Sequence, residues 1–455
     1  MTNSLFIKNI HDLVTCDEND RLLKNTNMLI ENREITYIGN DIREADRTID
    51  ATGMAVYPGL INTHHHLYQT FTRNLPQVQR LELFPWLKAL YEIWQNLDEN
   101  VMRYSSLTGM GELLKTGCTT CLDHHYVFPK SAGNRLIDTQ FEVAEQLGIR
   151  MHATRGSMDL SKKDGGLPPD GVVQTIDEIL ADSERIVTKY HDANRFSMRQ
   201  VALAPCSPFS VTGELMKQSA QLARKLGVRL HTHLAETKDE EGYTLQRFGM
   251  RPLAYMETLG WVGPDVWYAH GIHFNDEELK KLAQTQTGIA HCPISNMKLS
   301  SGIARIPEML ELGIPVGLGV DGSASNDGSN LMEEMRVAYL LHRLNSSQSA
   351  PTGYDILKLA TNGSARILGR NDLGALSVGM AADLFMIRLN RLELVGTQFD
   401  VKSLFGTVGF KGSVDYTVVN GKVVVENGQL VTIDEEKVAA DANRVVEKFI
   451  SKANI

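Results

Sequence analysis

The sequence predicts an α/β protein, a (β/α)8 TIM-like barrel with a small β-sandwich domain formed from both chain termini. Three observations support this prediction. Strand and helix signals alternate eight times between residues 57 and 371. Short alternating strand patterns occur near both ends of the chain. Several apolar strands become polar only at their C-terminal ends, where ligand groups gather in barrels. The length of 455 residues and the hydrophobic share of 42% suffice for both parts.

The patterns at the two ends of the chain predict the β domain. Residues 4–52 contain short alternating strands with polar turns, and a similar pattern returns between residues 383 and 425. Asn420-Gly421 is a hairpin signal within the second region. Glu435–Ile450 has the periodicity of a closing amphipathic helix. Residues 1–56 and 372–455 are therefore predicted to form one composite domain, and residues 57–371 to form the barrel.

Eight barrel strands are predicted, and helical patterns separate most of them. The strands are Tyr57–His66, Cys118–His125, Ile149–Arg155, Met198–Cys206, Val228–Glu236, Val266–His270, Gly288–Cys292 and Pro315–Asp321. The helices are Phe84–Gln95, Tyr104–Lys115, Asn134–Leu147, Val173–His191, Gly213–Leu226, Asp239–Phe248, Pro252–Leu259, Asp276–Gln284, Ile306–Leu312 and Asn330–Asn345.

Four residues at strand ends form a candidate metal site. His64 and His66 are two residues apart and so share one face of the first strand. His233 ends the fifth strand and Asp321 ends the eighth. Taken alone, each residue is more simply interpreted as a structural polar group at a strand end. Four such residues at the same mouth of a barrel favour a metal site. Three imidazoles and a carboxylate suit one Zn²⁺ with a bound water, with Fe²⁺ as the alternative ion.

Two further residues are candidates for acid–base catalysis. Glu236 follows His233 by three residues and His270 ends the sixth strand. The simpler interpretation is a salt-bridged pair. Zinc lowers the pKa of bound water to about 7, so Asp321 and His270 can take the proton of that water. Glu236 would then carry a proton to a ring nitrogen of the substrate.

The cysteines do not predict a disulfide scaffold or a second metal site. Five cysteines are scattered along the chain, as is typical of a reducing compartment. Cys118 and Cys121 form a CxxC pair inside an apparent core strand without a second pair, which argues against a redox or zinc role. Cys206 lies at the mouth end of the fourth strand and is expected to line the pocket. Trp86 lies in an aromatic run typical of core packing, although it could cap a planar ligand.

Composition excludes some classes of partner. The net charge of −9 disfavours nucleic acids and anionic membranes. The chain has no basic N-terminal region followed by a long apolar stretch, and no window of eighteen apolar residues. We therefore expect a soluble cytoplasmic protein, a homo-oligomer that acts on a small molecule.

Five motifs resemble those of the amidohydrolase superfamily, in its branch of aminohydrolases that deaminate or dechlorinate heteroaromatic rings. They are Pro58-Gly-Leu-Ile-Asn-Thr-His-His-His, His233-Leu-Ala-Glu-Thr, Ala269-His-Gly-Ile-His, His291-Cys-Pro-Ile-Ser-Asn-Met and Gly319-Val-Asp-Gly-Ser-Ala-Ser-Asn. The resemblance implies the same four metal ligands. It also implies that Glu236 is the proton shuttle and that His270 polarises the water.

Shorter stretches resemble 8-oxoguanine deaminases and imply conversion of 8-oxoguanine and water to urate and ammonia. The stretches are His66-Leu-Tyr-Gln-Thr, Leu83-Phe-Pro-Trp-Leu, His152-Ala-Thr-Arg-Gly-Ser-Met and Ala204-Pro-Cys-Ser-Pro-Phe-Ser-Val. The expected ring contacts are Gln69 at the ring edge, Trp86 by stacking, Cys206 near a ring substituent, and also Arg155 and Asn296.

The substrate alternatives are guanine, isocytosine and an s-triazine, the last as in hydroxyatrazine-type ethylaminohydrolases. Many relatives carry histidine at the position of Cys206, which argues against deamination of S-adenosylhomocysteine or methylthioadenosine. An alternative of another class is a catalytically inactive scaffold of the same fold. The intact ligand set together with Glu236 argues against it.

Overall fold

The computed structural model describes residues 4–453, and these contain the following strands and helices. The strands are β1 (Ser4–Val14), β2 (Leu22–Glu31), β3 (Glu34–Gly39), β4 (Arg47–Asp50), β5 (Met54–Pro58), β6 (Leu60–Asn62), β7 (His65–His66), β8 (Cys118–His125), β9 (Arg150–Ser157), β10 (Arg199–Pro205), β11 (Arg229–Leu234), β12 (Val266–His270), β13 (Gly288–His291), β14 (Val316–Leu318), β15 (Asp321–Gly322), β16 (Leu384–Arg388), β17 (Tyr416–Val419), β18 (Lys422–Glu426) and β19 (Gln429–Leu430). The α-helices are α1 (Leu83–Trp94), α2 (Glu99–Lys115), α3 (Leu136–Leu147), α4 (Ile176–Tyr190), α5 (Gly213–Leu226), α6 (Lys238–Phe248), α7 (Pro252–Thr258), α8 (Asp276–Thr285), α9 (Pro293–Lys298), α10 (Ile306–Glu311), α11 (Ser323–Asn326), α12 (Leu331–Ser346), α13 (Gly353–Lys358), α14 (Ser364–Ile367), α15 (Leu404–Thr407) and α16 (Glu435–Ser451).

Eight parallel strands form the barrel in the order β6, β8, β9, β10, β11, β12, β13 and β14. All eight overlap the strands expected from the sequence, and helices follow them as predicted. The first predicted strand, Tyr57–His66, is divided between β5 of the terminal sheet, β6 of the barrel and β7. The predicted fold class is therefore confirmed. The predicted domain boundaries remain predictions.

The barrel closes between its first and last strands through short contacts at the mouth. The Thr63 N–H donates to the Leu318 carbonyl at 3.0 Å, and the Asp321 N–H donates to the His64 carbonyl at 3.0 Å. The short strand β7 then runs parallel to β15. This junction places the first-strand histidines beside the last-strand aspartate, which are far apart in the sequence.

Both ends of the chain contribute to one nine-stranded sheet. Its order is β19-β18-β17-β16-β5-β1-β2-β3, with β4 paired to β1. Strand β5 joins the two contributions, since it pairs in parallel with β1 and antiparallel with β16. Because β5 precedes the first barrel strand by a single residue, this sheet is anchored directly at the start of the barrel.

A buried ion pair also ties the terminal sheet to the barrel. The Arg150 guanidinium on β9 is fully buried, and its Nη2 lies 3.0 Å from Asp383 Oδ1. The Asn420 N–H donates to the same carboxylate oxygen at 2.7 Å. The pair therefore fixes the turn between β17 and β18 against the barrel.

Some helices differ from the prediction. Helix α2 begins at Glu99 rather than Tyr104, because the Asp98 side chain caps it by accepting from the Val101 N–H at 2.9 Å. Helix α9 was not predicted, because its buried residues include the polar Ser295 and Asn296 and it shows no apolar face. Among residues 4–453, no helix has both the length and the apolar character needed to cross a membrane.

Candidate metal centre and active site

The four predicted ligands lie at one end of the barrel. His66 is in β7, His233 is near the end of β11, Asp321 begins β15, and His64 directly precedes β7. All four side chains are buried. Parallel strands end at the same mouth, so the alternation within each strand and the order of the strands bring the side chains together.

The candidate ligand atoms converge on a common point. His66 Nε2 lies 3.2 Å from His233 Nε2. Asp321 Oδ1 lies 3.3 Å from His64 Nε2 and 3.2 Å from His66 Nε2. Ligand atoms of one zinc ion, each about 2.0–2.2 Å from the metal, lie roughly 3 Å apart. The spacing of these atoms therefore fits ligation of a single cation.

Backbone carbonyls fix the orientation of two of these imidazoles. His66 Nδ1–H donates to the His124 carbonyl at 2.7 Å, and His233 Nδ1–H donates to the Cys206 carbonyl at 2.6 Å. Each ring therefore presents the lone pair of Nε2 to the common point. Two lone pairs 3.2 Å apart repel each other unless a cation lies between them, so this donor set suits a metal.

A second histidine orients the third imidazole. His64 Nδ1–H donates to His231 Nε2 at 2.8 Å, and His231 Nδ1–H donates to the Trp267 carbonyl at 3.0 Å. His64 Nε2 is buried without a protein hydrogen-bond partner. Burial lowers the pKa of His64 and His233 well below the usual range, so both rings stay neutral as metal ligands must.

Two overlapping groups of potential ligands share His64 and His233. One group adds His66 and His124, and the other adds His270 and Asp321; within each group the ligand atoms lie within 4.8 Å of one another. His124 already donates from Nε2 to the Ala204 carbonyl at 2.9 Å. The carboxylate of Asp321 supplies the negative charge that the all-histidine group lacks, so we favour the ligand set expected from the sequence.

The two acid–base candidates lie beside this cluster. His270 Nε2 is 3.5 Å from Glu236 Oε2 and 3.9 Å from Asp321 Oδ2. His270 Nδ1–H donates to Asn296 Oδ1 at 2.9 Å, which turns Nε2 towards the carboxylates. Burial, and then the charge of Asp321, raise the pKa of Glu236 well above the usual range. A carboxyl group with a raised pKa can hold a proton and deliver it to a substrate.

Three side chains around the cluster have buried polar atoms without a protein hydrogen-bond partner. Gln69 lies on a 3₁₀ turn, Leu67–Thr72, directly after β7. It packs over the backbone next to Asp321, because a Cβ atom on Gly322 would lie 1.9 Å from Gln69 Oε1. Gln69 Oε1, Tyr68 OH and Asn296 Nδ2 are all buried without a protein hydrogen-bond partner. Such atoms indicate a binding site for a polar ligand.

Trp86 is joined to the cluster through other aromatic rings. Its ring packs edge-on against Trp94 at 5.5 Å, Trp94 packs against Tyr68 at 5.2 Å, and Tyr68 lies 6.3 Å from His66. Trp86 Nε1 is buried without a partner. Stacking of Trp86 on a ligand remains a prediction.

Cys206 contributes its backbone and a buried thiol. Its carbonyl accepts from His233, as described above, and burial raises the pKa of its thiol to about 12. A thiol with this pKa is not a nucleophile at neutral pH. The thiol is therefore not a candidate nucleophile, and contact of Cys206 with a ring substituent stays a prediction.

Arg155 is not brought to the cluster. Its Nε donates to Asp182 Oδ2 at 2.6 Å and its Nη2 donates to Gln174 Oε1 at 2.8 Å. The guanidinium also stacks on Phe128 at 3.8 Å. These partners occupy the hydrogen-bond donors of the Arg155 guanidinium on the helix side of β9. We therefore withdraw Arg155 from the predicted ring contacts.

The sequence interpretation gave no role to two aromatic side chains at the centre. The His124 ring stacks on His233 at 4.7 Å and 22°, and the Tyr126 ring lies edge-on to His66 at 5.1 Å. Both lie at the C-terminal end of β8, where His124 is the penultimate residue and Tyr126 directly follows the strand. The rule that predicted the four ligands, polar residues at the C-terminal end of a barrel strand, would have found His124 if applied to every strand.

Comparisons with known proteins show which proteins this chain is similar to. Residues 55–424 match the sequence model of the amidohydrolase family. The chain is 49% identical over 385 residues to an 8-oxoguanine deaminase of Pseudomonas aeruginosa, with 85% of each chain covered. It is 42% identical over 466 residues to the hydroxydechloroatrazine ethylaminohydrolase of Pseudomonas sp. strain ADP, covering 99% of this chain and 96% of that protein. The solved structure of atrazine chlorohydrolase TrzN from Arthrobacter aurescens TC1, complexed with zinc, has a TM-score of 0.93 at 36% identity and covers 97% of this chain and 100% of that one.

Proposed function

The chain belongs to the amidohydrolase family and is a hydrolytic enzyme acting on C–N bonds, and from this premise we propose that it deaminates 8-oxoguanine to urate and ammonia. The 49% identity to an 8-oxoguanine deaminase supports this choice of ring. One observation of the structure supports a polar heteroaromatic base in general: buried polar atoms without protein partners lie around the histidine–carboxylate cluster, on Gln69, Tyr68 and Asn296.

In this proposal His64, His66, His233 and Asp321 hold one divalent cation, with zinc as our first choice. When bound, such a cation makes a nucleophilic water available at neutral pH by lowering the pKa of that water to about 7. His231 and the backbone carbonyls that accept from the Nδ1 atoms keep the three imidazoles in the required tautomer.

The remaining steps are proton transfers by side chains of this chain. As water adds to the ring carbon that bears the amino group, Asp321 and His270 take its proton. Glu236, whose pKa is raised by burial, gives a proton to the adjacent ring nitrogen. The amino group then takes the proton held by Asp321 and His270 and leaves as ammonia. The hydroxyl on the ring carbon returns its proton to Glu236 as it becomes a carbonyl, so one water is consumed for each ammonia released.

The unpartnered atoms match the edge of an oxopurine. Gln69 Oε1 needs an N–H donor, and Asn296 Nδ2 needs an acceptor such as a carbonyl oxygen or a ring nitrogen. The phenol of Tyr68 can serve as donor or acceptor. 8-Oxoguanine has both kinds of group on adjacent atoms. A site with buried polar groups discriminates strongly against ligands that leave them unpaired.

A second candidate function has the same mechanism, but the group released is ethylamine instead of ammonia. Similarity to the ethylaminohydrolase extends along nearly the whole chain and favours a triazine that releases ethylamine. Guanine and isocytosine carry the same lactam–amidine edge as 8-oxoguanine and are expected to react more slowly.

An assay of the metal-loaded enzyme against four rings tests the proposal. The rings are 8-oxoguanine, guanine, isocytosine and hydroxyatrazine, with ammonia and ethylamine measured separately. We expect the highest kcat/KM with 8-oxoguanine and a rise in KM of about 100-fold in Gln69→Leu, which keeps the volume but removes the amide. Turnover of hydroxyatrazine alone would refute the choice of substrate, and an unchanged KM in Gln69→Leu would refute the role of the amide.

A further inference from the structure

The turn that carries Glu236 has an unfavourable backbone conformation. It connects β11, which holds His233, to helix α6. Within it Ala235 has φ of 53°, in the left-handed region that non-glycine residues rarely adopt. Such a conformation persists only where surrounding groups hold it in place.

A buried carboxylate holds this turn from one side. Glu240 Oε1 accepts from the Ala235 N–H at 3.0 Å, and Glu240 Oε2 accepts from the Glu236 N–H at 3.2 Å. The Glu240 side chain is completely buried. Each of its two oxygens therefore binds one of two successive backbone amides, and the second amide belongs to the acid–base residue itself.

The neighbouring strand holds the same turn from the other side. The Ala235 carbonyl accepts from the N–H groups of Ile272 and His273, both at 2.9 Å. These residues follow β12 and its terminal His270. The peptide groups on either side of Ala235 are thus fixed between Glu240 and the segment that carries the other acid–base candidate.

Glu240 departs from an ordinary helix cap. Thr237-x-x-Glu240 has the sequence of a capping box, and Thr237 Oγ1 accepts from the Glu240 N–H at 3.4 Å. In helices α4, α8 and α13 the corresponding carboxylate returns to the N–H of its own cap residue. In α6 the carboxylate instead reaches past Thr237 to the two preceding amides. Stabilising the helix does not require this longer reach.

We propose that Glu240 is a positioning residue, whose buried carboxylate holds the turn at Ala235 so that Glu236 faces His270 and Asp321. This inference rests on the proposed function, in which Glu236 moves the proton. Two hydrogen bonds from successive amides to one buried side chain hold the turn in a single conformation, and a small misplacement of an acid–base group costs a large factor in rate.

The variant Glu240→Gln tests the proposal, because it keeps the size of the side chain but turns an NH₂ donor towards one of the two amides. With the ring that the wild-type enzyme hydrolyses fastest, we expect kcat to fall about 30-fold while KM changes less than threefold. Zinc content is expected to stay at the wild-type level, since no ligand is altered.

Amide hydrogen exchange measures the stability of the turn without depending on activity. Amide hydrogen exchange of the peptide spanning residues 228–240 should become faster in the zinc-loaded Glu240→Gln variant than in the wild type. If the wild-type enzyme hydrolyses none of the rings, the proposed function fails, and this exchange still tests the role of Glu240. Glu240→Asp keeps the charge but shortens the reach, and the same results are expected from it if the glutamine variant does not fold.

Thr237→Ala is the matched control. It removes the cap of the same helix but leaves both bonds of Glu240 to the turn. We expect a lower Tm in this variant with kcat within threefold of wild type. An equal loss of kcat in Thr237→Ala and Glu240→Gln would overturn the proposal, because stability of the helix alone would then explain both. Unchanged kcat and exchange in Glu240→Gln would overturn it as well.

Discussion

A single hydrogen bond at Nδ1 decides which nitrogen each imidazole offers to a metal. For His66 and His233 the acceptor is a backbone carbonyl, which no substitution at the accepting residue removes. For His64 the acceptor is the side chain of His231, which is held by the Trp267 carbonyl. The orientation of His64 is therefore open to a test by mutation.

We predict that His231→Asn weakens zinc binding about 10- to 100-fold, because loss of an outer hydrogen bond frees the ligand ring to rotate and change tautomer. The measurement is competition with a chromophoric chelator. His152→Asn is the matched control, since His152 is also buried in a barrel strand but bonds to Arg370, away from the cluster. Equal zinc affinity in His231→Asn and the wild type would contradict a role of His231 in orienting His64.

At the residue scale, the sequence identified the side chains whose position follows from strand periodicity. His64, His66, His233 and Asp321 were predicted because polar residues at the C-terminal ends of apolar strands meet at one mouth. Arg155 also lies near a strand end, but both faces of a barrel strand are buried, so its position alone did not say which way it points. The structure shows that its partners, Asp182 and Gln174, lie on the helix side.

At the scale of the elements, the junction of the first and last barrel strands determines where the candidate metal ligands lie. Gly319 passes directly beside His64 just after β14. A Cβ atom at Gly319 would lie 2.7 Å from the His64 Cβ and 3.0 Å from its backbone nitrogen. These atoms belong to the backbone and the base of a side chain, so they cannot move aside as the end of a flexible side chain can.

Gly319→Ala is predicted to push the strand that carries His64 and His66 away from β15. We expect a loss of about 1–3 kcal/mol in the free energy of unfolding, as for an overpacked core, together with weaker zinc binding. Gly242→Ala is the control, because a Cβ atom there meets nothing within 4 Å. That change, in the exposed part of α6, should stabilise the protein by about 0.5–1 kcal/mol. Denaturant unfolding and zinc titration of both variants provide the measurement, and wild-type values for Gly319→Ala would exclude the close contact.

Elements were predictable where apolar residues mark the buried face. The eight barrel strands and the long helices show such a pattern, and so does α10, which has only six residues. Helix α9 was not predicted, although it carries Asn296, the partner of His270. It begins at Pro293, and its buried Ser295 and Asn296 are polar while Met297 is exposed, so no apolar period indicates a helix.

At the scale of the whole molecule, the two ends of the chain meet in one sheet, and this pairing was suggested by their similar strand patterns. The exact neighbours could not be read from the sequence, because β5 pairs with β1 through Asp12 and Ala55 and with β16 through contacts between residues more than 300 positions apart. The ion pair of Arg150 with Asp383 was also not foreseen. Nothing in the local sequence around either residue indicates its partner.

Neutral buried histidines distributed through the molecule predict that acid destabilises it. Burial lowers the pKa of His125 from 6.5 to about 3 and that of His342 to about 4. Both rings are free to take a proton only in the unfolded chain, where the pKa is near 6.5. Their contribution to stability is therefore fully present above pH 6.5 and is lost as the pH falls towards 4. Each histidine lowers the free energy of unfolding by about 1.4 kcal/mol per pH unit in this window.

Replacing one such histidine isolates its share of this pH dependence. We predict that His342→Asn, compared with the wild type in zinc-free samples, reduces the slope of the unfolding free energy against pH by about 1.4 kcal/mol per unit between pH 6 and pH 5. Removal of zinc excludes protons that exchange with the metal at its ligands. Urea unfolding at several pH values gives the two slopes. Parallel slopes would mean that His342 takes up its proton in the folded protein, and that the ring is not held neutral by burial beside His291.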